Sequence, residues 1–127
     1  MKGLEELKKL KLPKDKFAIF GSGPLGIRNI RESNDIDLIV KEELWNELKK
    51  KYPINQEKHN AIVIGNIEIF SKWPPFKEVN ILIDSADIIQ GFKFVKLEYV
   101  LEWKRFLNRD KDLKDIKLIK NYLKLNF

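Results

Sequence analysis

The chain has 127 residues, enough for one domain with a substantial hydrophobic core and too few for two domains of ordinary size. It contains no cysteine and a single histidine, His59, which excludes disulfides, cysteine nucleophiles and multi-histidine zinc sites. The net charge of +6 favours polyanionic partners, although a lysine-rich composition that only keeps the chain in solution explains it equally well. A charged N-terminal stretch and the lack of a bilayer-length apolar run predict a soluble cytoplasmic protein without membrane contact.

The hydrophobic pattern predicts a mixture of helices and short strands along the chain. Helices are predicted over 4–11, 24–31, 42–51, 79–85, 97–107 and 112–123. Strands are predicted over 17–20, 35–40, 61–64, 67–70 and 87–89, with a hairpin turn at Gly65-Asn66. We therefore predict one α/β domain over 1–127, in which a small mixed β-sheet is flanked by helices. Its motif-bearing core spans 17–70 and its helical C-terminal end spans 97–123.

Two carboxylates, Asp35 and Asp37, stand one residue apart on a strand that otherwise has the composition of a buried strand. Because side chains alternate along a strand, both are expected on one face, where their charges repel unless a cation lies between them. Mg²⁺ prefers carboxylate and phosphate oxygens, so the pair indicates metal-assisted phosphate chemistry. The same spacing recurs in Asp110-Lys111-Asp112, which we assign to a polar loop in which Asp112 caps a helix. Exposure of Asp35 and Asp37 on an edge strand is the alternative.

The turn Gly21-Ser22 follows the first strand and precedes the predicted helix over 24–31. Backbone N–H groups at a helix start, together with the Ser22 hydroxyl, suit a phosphate. An ordinary helix N-cap that binds nothing is the alternative. Glu68 is a lone carboxylate in the strand over 67–70, and is costly to bury without a cation, although strand alternation also permits it to face solvent.

Together, Gly21-Ser22, Asp35-Ile36-Asp37 and Ile67-Glu68-Ile69 resemble the motifs of the DNA polymerase beta-like nucleotidyltransferase superfamily. The stretch from Leu101 to Ile116 is similar to the tail of small stand-alone members. The resemblance implies that Gly21 and Ser22 hold the triphosphate of a nucleoside triphosphate, and that Asp35, Asp37 and Glu68 bind two Mg²⁺ or Mn²⁺ ions. It also implies an enzyme that transfers a nucleoside monophosphate to an acceptor hydroxyl, with release of pyrophosphate.

Basic residues near the C-terminal end are a further candidate for nucleotide binding. Lys104 and Arg105 lie late on one predicted helix, and Arg109 and Lys111 lie in the loop after it. We expect this group, above all Arg109 and Lys111, to meet phosphate, with Asp112 and Asp115 holding it by ion pairs. A solvated set of cations at a helix C-terminus is the alternative.

The acceptor, whether protein, RNA or small molecule, is not identified by any residue. Two other functions fit the same residues. One is a nucleotide- or RNA-binding module without turnover, whose affinity falls with salt. The other is a component of a toxin–antitoxin pair that acts on a partner protein.

Overall fold

The computed structural model describes residues 1–125 and contains a mixed β-sheet with helices on both faces. The helices are α1 Leu4–Leu10, α2 Gly23–Ile27, α3 Glu42–Lys51, α4 Val79–Asp84, α5 Leu97–Leu107 and α6 Asp110–Leu125. The strands are β1 Phe17–Phe20, β2 Ile36–Val40, β3 Ile54–Asn55, β4 Ala61–Ile64, β5 Ile67–Phe70, β6 Asp87–Ile89 and β7 Phe92–Phe94. The predicted mixed sheet and helical C-terminal end are confirmed. None of the helices in this described part of the chain has the length and apolarity needed to cross a membrane.

The strand order in the sheet is β3-β4-β5-β2-β1-β7-β6. The central strand β2 runs antiparallel to β1 and parallel to β5. On the other side of β1, β7 is parallel to it, and β6 forms an antiparallel hairpin with β7. The C-terminal end of β1 therefore lies beside the N-terminal ends of β2 and β5, and this is where the predicted site residues meet.

Strand alternation divides the core into two clusters, one on each face of the sheet. On one face, α1 and α3 cover a cluster that includes Phe17, Ile19 and Leu38. On the other face, α2, α4, α5 and α6 cover a cluster that includes Phe20 and Ile39. Asp37 alternates with Leu38 and so shares the second face. The sheet is thus the middle of three layers, as in other domains whose sheets are covered on both sides.

One predicted helix boundary is wrong because of an asparagine in the left-handed conformation. The helix predicted over 24–31 ends at Ile27, because Asn29 has φ +58° and closes a Schellman-type cap with Ile30 N–H bonded to the Leu25 carbonyl. The helix predicted over 97–107 is confirmed with those bounds, and Asn108, with φ +51°, is the C-cap of α5.

The helix predicted to begin at Asp112 begins at Asp110, so Lys111 lies in the first turn of α6 and not in a loop. Asp112 remains a capping residue, because its carboxylate accepts the backbone N–H of Arg109.

Candidate functional site

Asp37 and Glu68 are direct neighbours on adjacent strands. In the parallel register of β2 and β5, Asp37 pairs with Glu68, and Ile36 with Ile67. Side chains of residues paired in this way point to the same face at close range. Both carboxyl groups are half-buried, whereas Asp35, just before β2, is exposed. The structure therefore brings the three predicted acids together at one edge of the face that α2, α4, α5 and α6 cover.

The electrostatics of the cluster centre on Asp37. Burial, the charges of Glu68 and Asp35, and a hydrogen bond with the Glu68 carboxyl raise the pKa of Asp37 to about 7. Like charges held together in partly desolvated surroundings produce this shift. Asp37 thus holds a proton below about pH 7 and becomes a charged neighbour of Glu68 above it.

Gly21 leaves the space that the Asp37 carboxyl group occupies. Phe20 pairs with Asp37 across β1 and β2, and Gly21 follows it with φ +61°, a left-handed conformation that suits glycine. A methyl group built at Gly21 would overlap the Asp37 carboxylate oxygen. The lack of a side chain at Gly21 therefore makes room for the Asp37 carboxyl group in the acidic cluster.

Replacement of Gly21 by alanine is expected to disturb the acidic cluster, and Gly65 offers a matched control. Gly65 has φ +59°, and a methyl group added to it would have no neighbouring atom within 4 Å, so Gly65→Ala should cost only the left-handed strain, about 1–2 kcal/mol of unfolding free energy. Gly21→Ala should cost about 1 kcal/mol more and displace the Asp37 carboxylate. Denaturant unfolding of both variants measures the difference. Equal losses would show that the contact with Asp37 is unimportant.

Ser22 stands at the N-cap position of α2 but does not cap the helix with its side chain. Its hydroxyl instead bonds to the hydroxyl of Ser33, at 2.7 Å, and Ser33 is buried two residues before Asp35. Helix α2 has only five residues, so its dipole adds little to anion binding. What this turn offers to an anion is thus the Ser22 hydroxyl and local backbone N–H groups.

A cavity of about 580 Å³ lies beside Ser33. Ser33 and Asn34, directly before Asp35, line it together with the basic side chains of Lys2 and Arg31. Neither Lys2 nor Ser33 was predicted from the sequence as a site residue. Lys2 is distant in sequence and reaches this place only through packing, whereas the short spacing from Ser33 to Asp35 is a signal that could have indicated Ser33.

The basic residues at the C-terminal end are largely engaged in ion pairs. The guanidinium of Arg109 donates two hydrogen bonds to Asp112, at 2.6 and 3.1 Å, and its side chain remains 48% exposed. Buried Lys104 contacts Asp112 and Asp115, and Arg31 forms a bidentate pair with Asp115. The expected ion pairs are confirmed between Asp112 and both Arg109 and Lys104, and between Asp115 and Lys104. Lys111 is exposed in α6.

The donor set suits Mg²⁺ in chemistry, since the three acids offer only carboxylate oxygens. Over residues 1–125, however, no three His, Cys, Asp or Glu side chains are already arranged as a metal-binding group. Protein sites for Mg²⁺ commonly use one or two carboxylates and complete the shell with water and substrate phosphate. Asp37 and Glu68, with Asp35 beside them, fit that requirement.

Comparisons with protein-family models, with curated proteins and with solved structures found no match to this chain. The site is therefore interpreted from its own geometry and from the motifs in the sequence.

Proposed function

We propose that the protein is a metal-dependent nucleotidyltransferase that moves a nucleoside monophosphate from a nucleoside triphosphate to an acceptor hydroxyl. The observation that carries the proposal is the pairing of Asp37 with Glu68 beside Gly21 and Ser22, with Asp35 next to them. Two partly buried carboxylates that repel each other reduce the stability of the protein unless a cation binds. This arrangement has a clear use at a site for Mg²⁺ and phosphate.

The residues of the cluster would divide the work of the reaction. Asp35, Asp37 and Glu68 would hold two Mg²⁺ or Mn²⁺ ions, which supply charge neutralisation at the triphosphate and a lowered pKa of the acceptor hydroxyl. Ser22 would donate its hydroxyl hydrogen to a phosphate oxygen, in place of its present bond to Ser33. Lys2, at the neighbouring cavity, would offset part of the remaining negative charge, and so would the part of Arg31 that stays exposed beside its ion pair with Asp115.

The chemical step conserves atoms and charge in a simple way. The acceptor oxygen forms a bond to the α-phosphorus, and the bond from that phosphorus to the oxygen bridging to the β-phosphate breaks. Pyrophosphate leaves, and the acceptor proton passes to Glu68 or to solvent. Positioning and electrostatic stabilisation by the protein account for catalysis of this kind.

Arg109 and Lys111 remain predicted nucleotide contacts in this proposal. Arg109 would approach phosphate with the exposed part of its guanidinium while Asp112 holds the rest. Lys111 would act from the first turn of α6.

The test is transfer of a labelled nucleoside monophosphate in the presence of Mg²⁺ or Mn²⁺ and a cell extract, with pyrophosphate release as a second readout. Asp35→Asn and Asp37→Asn are expected to reduce both signals to background. Asp15→Asn, which alters an exposed carboxylate in a 3₁₀ turn before β1, serves as the control and should leave them unchanged. Labelling that persists in both site variants would contradict the proposal. Metal-dependent nucleotide binding without pyrophosphate release would indicate a binding module instead.

A further inference from the structure

An aromatic cavity of about 530 Å³ opens on the same face of the sheet as the acidic cluster. Its walls are formed by Phe70 of β5, Trp73 after that strand, and Trp103 and Phe106 of α5. His59, Asn60 and Lys72 contribute polar groups to the lining. The volume lies within the ordinary range for small-molecule sites, about 300–1,000 Å³.

Strand β5 and the aromatic contacts of Phe20 link the walls of the cavity to the acidic cluster. Phe70 follows Glu68 by two residues, so the two side chains share a face and lie about 7 Å apart along β5. Phe20, which pairs with Asp37, stacks on Trp73 with ring centroids 4.6 Å apart and meets Trp103 edge-on at 5.3 Å. The walls of the cavity are therefore joined to Asp37 through Phe20 and to Glu68 through Phe70.

The strand order places Ser22 and the Phe70 wall of the cavity on opposite sides of Asp37. Strand β2 lies between β1, which leads to Ser22, and β5, which carries Glu68 and Phe70. A triphosphate at Ser22 would approach Asp37 from the β1 side. The Phe70 wall is on the β5 side, where Glu68 would receive the proton of an acceptor hydroxyl.

The lining favours a flat ring that carries polar edges and a nearby negative charge. Phe106 keeps 57% of its surface exposed beside Trp103, so its ring is accessible to a molecule in the cavity. Aromatic side chains that form stacking surfaces beside basic groups are the common means by which proteins hold unpaired bases. Lys72 supplies the positive charge, and Asn60 and His59 supply hydrogen-bonding groups for a base edge.

We propose that this cavity binds the nucleobase of the acceptor, so that the acceptor is a nucleoside or the terminal nucleotide of a single-stranded RNA. Base binding itself stands apart from catalysis, whereas the assignment of the bound molecule as the acceptor rests on the proposed nucleotidyl transfer. The ribose hydroxyl of the bound nucleotide then forms the new bond to the α-phosphorus, and pyrophosphate is released.

The test is a titration of tryptophan fluorescence without divalent cation and without nucleoside triphosphate. Two of the three tryptophans, Trp73 and Trp103, line the cavity, so stacking of a base should quench their emission. The ligands are a nucleoside monophosphate, a short single-stranded oligoribonucleotide, and a tyrosine-containing peptide. Phe106→Ala should weaken binding of the first two roughly 5- to 100-fold. Phe106→Tyr should restore it, because a ring is again present.

Two control variants separate this inference from the proposed function. Ile88→Ala removes an apolar side chain that is 71% exposed on the opposite edge strand β6, and should bind like the wild type. Asp37→Asn should also bind the base normally while losing transfer. Normal base binding combined with no pyrophosphate release from any acceptor would overturn the proposed function and the acceptor assignment, and would leave the base site standing.

The ligand series also distinguishes the sources of the base. Tighter, salt-sensitive binding of the oligoribonucleotide supports an RNA end as the acceptor, and equal affinity for the mononucleotide supports a free nucleoside. The inference is overturned if neither ligand quenches saturably, if Phe106→Ala binds like the wild type, or if only the tyrosine-containing peptide binds.

Discussion

Asp37→Asn is expected to stabilise the metal-free protein above about pH 7 while it abolishes nucleotidyl transfer. In the wild type, burial, the neighbouring charges of Glu68 and Asp35, and the bond to Glu68 raise the pKa of Asp37 from 3.8 to about 7. An asparagine has no charge to desolvate and donates its amide N–H to Glu68. Since one pKa unit corresponds to about 1.4 kcal/mol, the gain in unfolding free energy has an upper limit of about 4 kcal/mol.

The pH dependence of this effect has a definite sign. The native protein holds the Asp37 proton more tightly than the unfolded chain, so between about pH 4 and pH 7 it carries more bound protons. Its unfolding free energy therefore falls as the pH rises through that range. Asp37→Asn removes the fall. Denaturant unfolding of the wild type and of Asp37→Asn at about pH 5 and about pH 8 measures this dependence. The unfolding free energies of the two proteins should differ most at the higher pH.

Added Mg²⁺ should reverse the order of the two proteins. Under the proposed function, Mg²⁺ would bind the ionised cluster of the folded wild type and raise its stability, whereas the variant lacks one carboxylate ligand and would gain little. Asp15→Asn is the control, and should stay within about 0.5 kcal/mol of the wild type at each pH. A wild-type stability that does not decline between about pH 5 and pH 8, relative to Asp37→Asn, would show that the cluster carries no such strain.

Local signals in the sequence were sufficient for the longer elements. Strand β1, helices α3 and α5, and the hairpin of β4 and β5 have the bounds predicted from apolar periodicity and turn residues. The missed strands β3 and β7 have only two and three residues. Strand β7 pairs with β6 across the short Gln90-Gly91 turn and with β1, which is distant in sequence. A strand of three residues that depends on a distant partner leaves no local periodicity to detect.

The sequence was sufficient to predict which acids form the candidate site, but not how the structure arranges them. Alternation along the strand predicted over 35–40 indicated a common face for Asp35 and Asp37, although β2 itself begins at Ile36. The register that sets Asp37 beside Glu68 joins residues 31 positions apart through parallel pairing, which no short pattern specifies. The space under Gly21 and the bond from Ser22 to Ser33 depend on that same packing. Lys111 was misplaced because a polar segment before a helix and the polar first turn of that helix have the same composition.

The ion pairs of α5 and α6 form a second group of charges. In this group positive and negative charges attract each other, whereas the carboxylates of the acidic cluster repel each other. Lys104 and Asp112 are 4% and 0% exposed, and Asp115 joins them to Arg31. Burial alone would raise the pKa of Asp112, but hydrogen bonds from Arg109 and the charge of Lys104 lower it to about 2. This group therefore stabilises the protein above about pH 4 and loses its contribution as the pH falls toward 2, opposite in sign to Asp37.

Asp112→Ala is therefore expected to lower the unfolding free energy by about 3–5 kcal/mol, because it leaves Lys104 buried with a single shared partner and removes the cap of α6. The double variant Lys104→Met with Asp112→Leu should recover most of the loss, since it removes the buried charge together with its partner. Denaturant unfolding at about pH 7 measures both. A single variant within about 1 kcal/mol of the wild type, or a double variant no better than the single, would show that these charges do not hold α6 against α5.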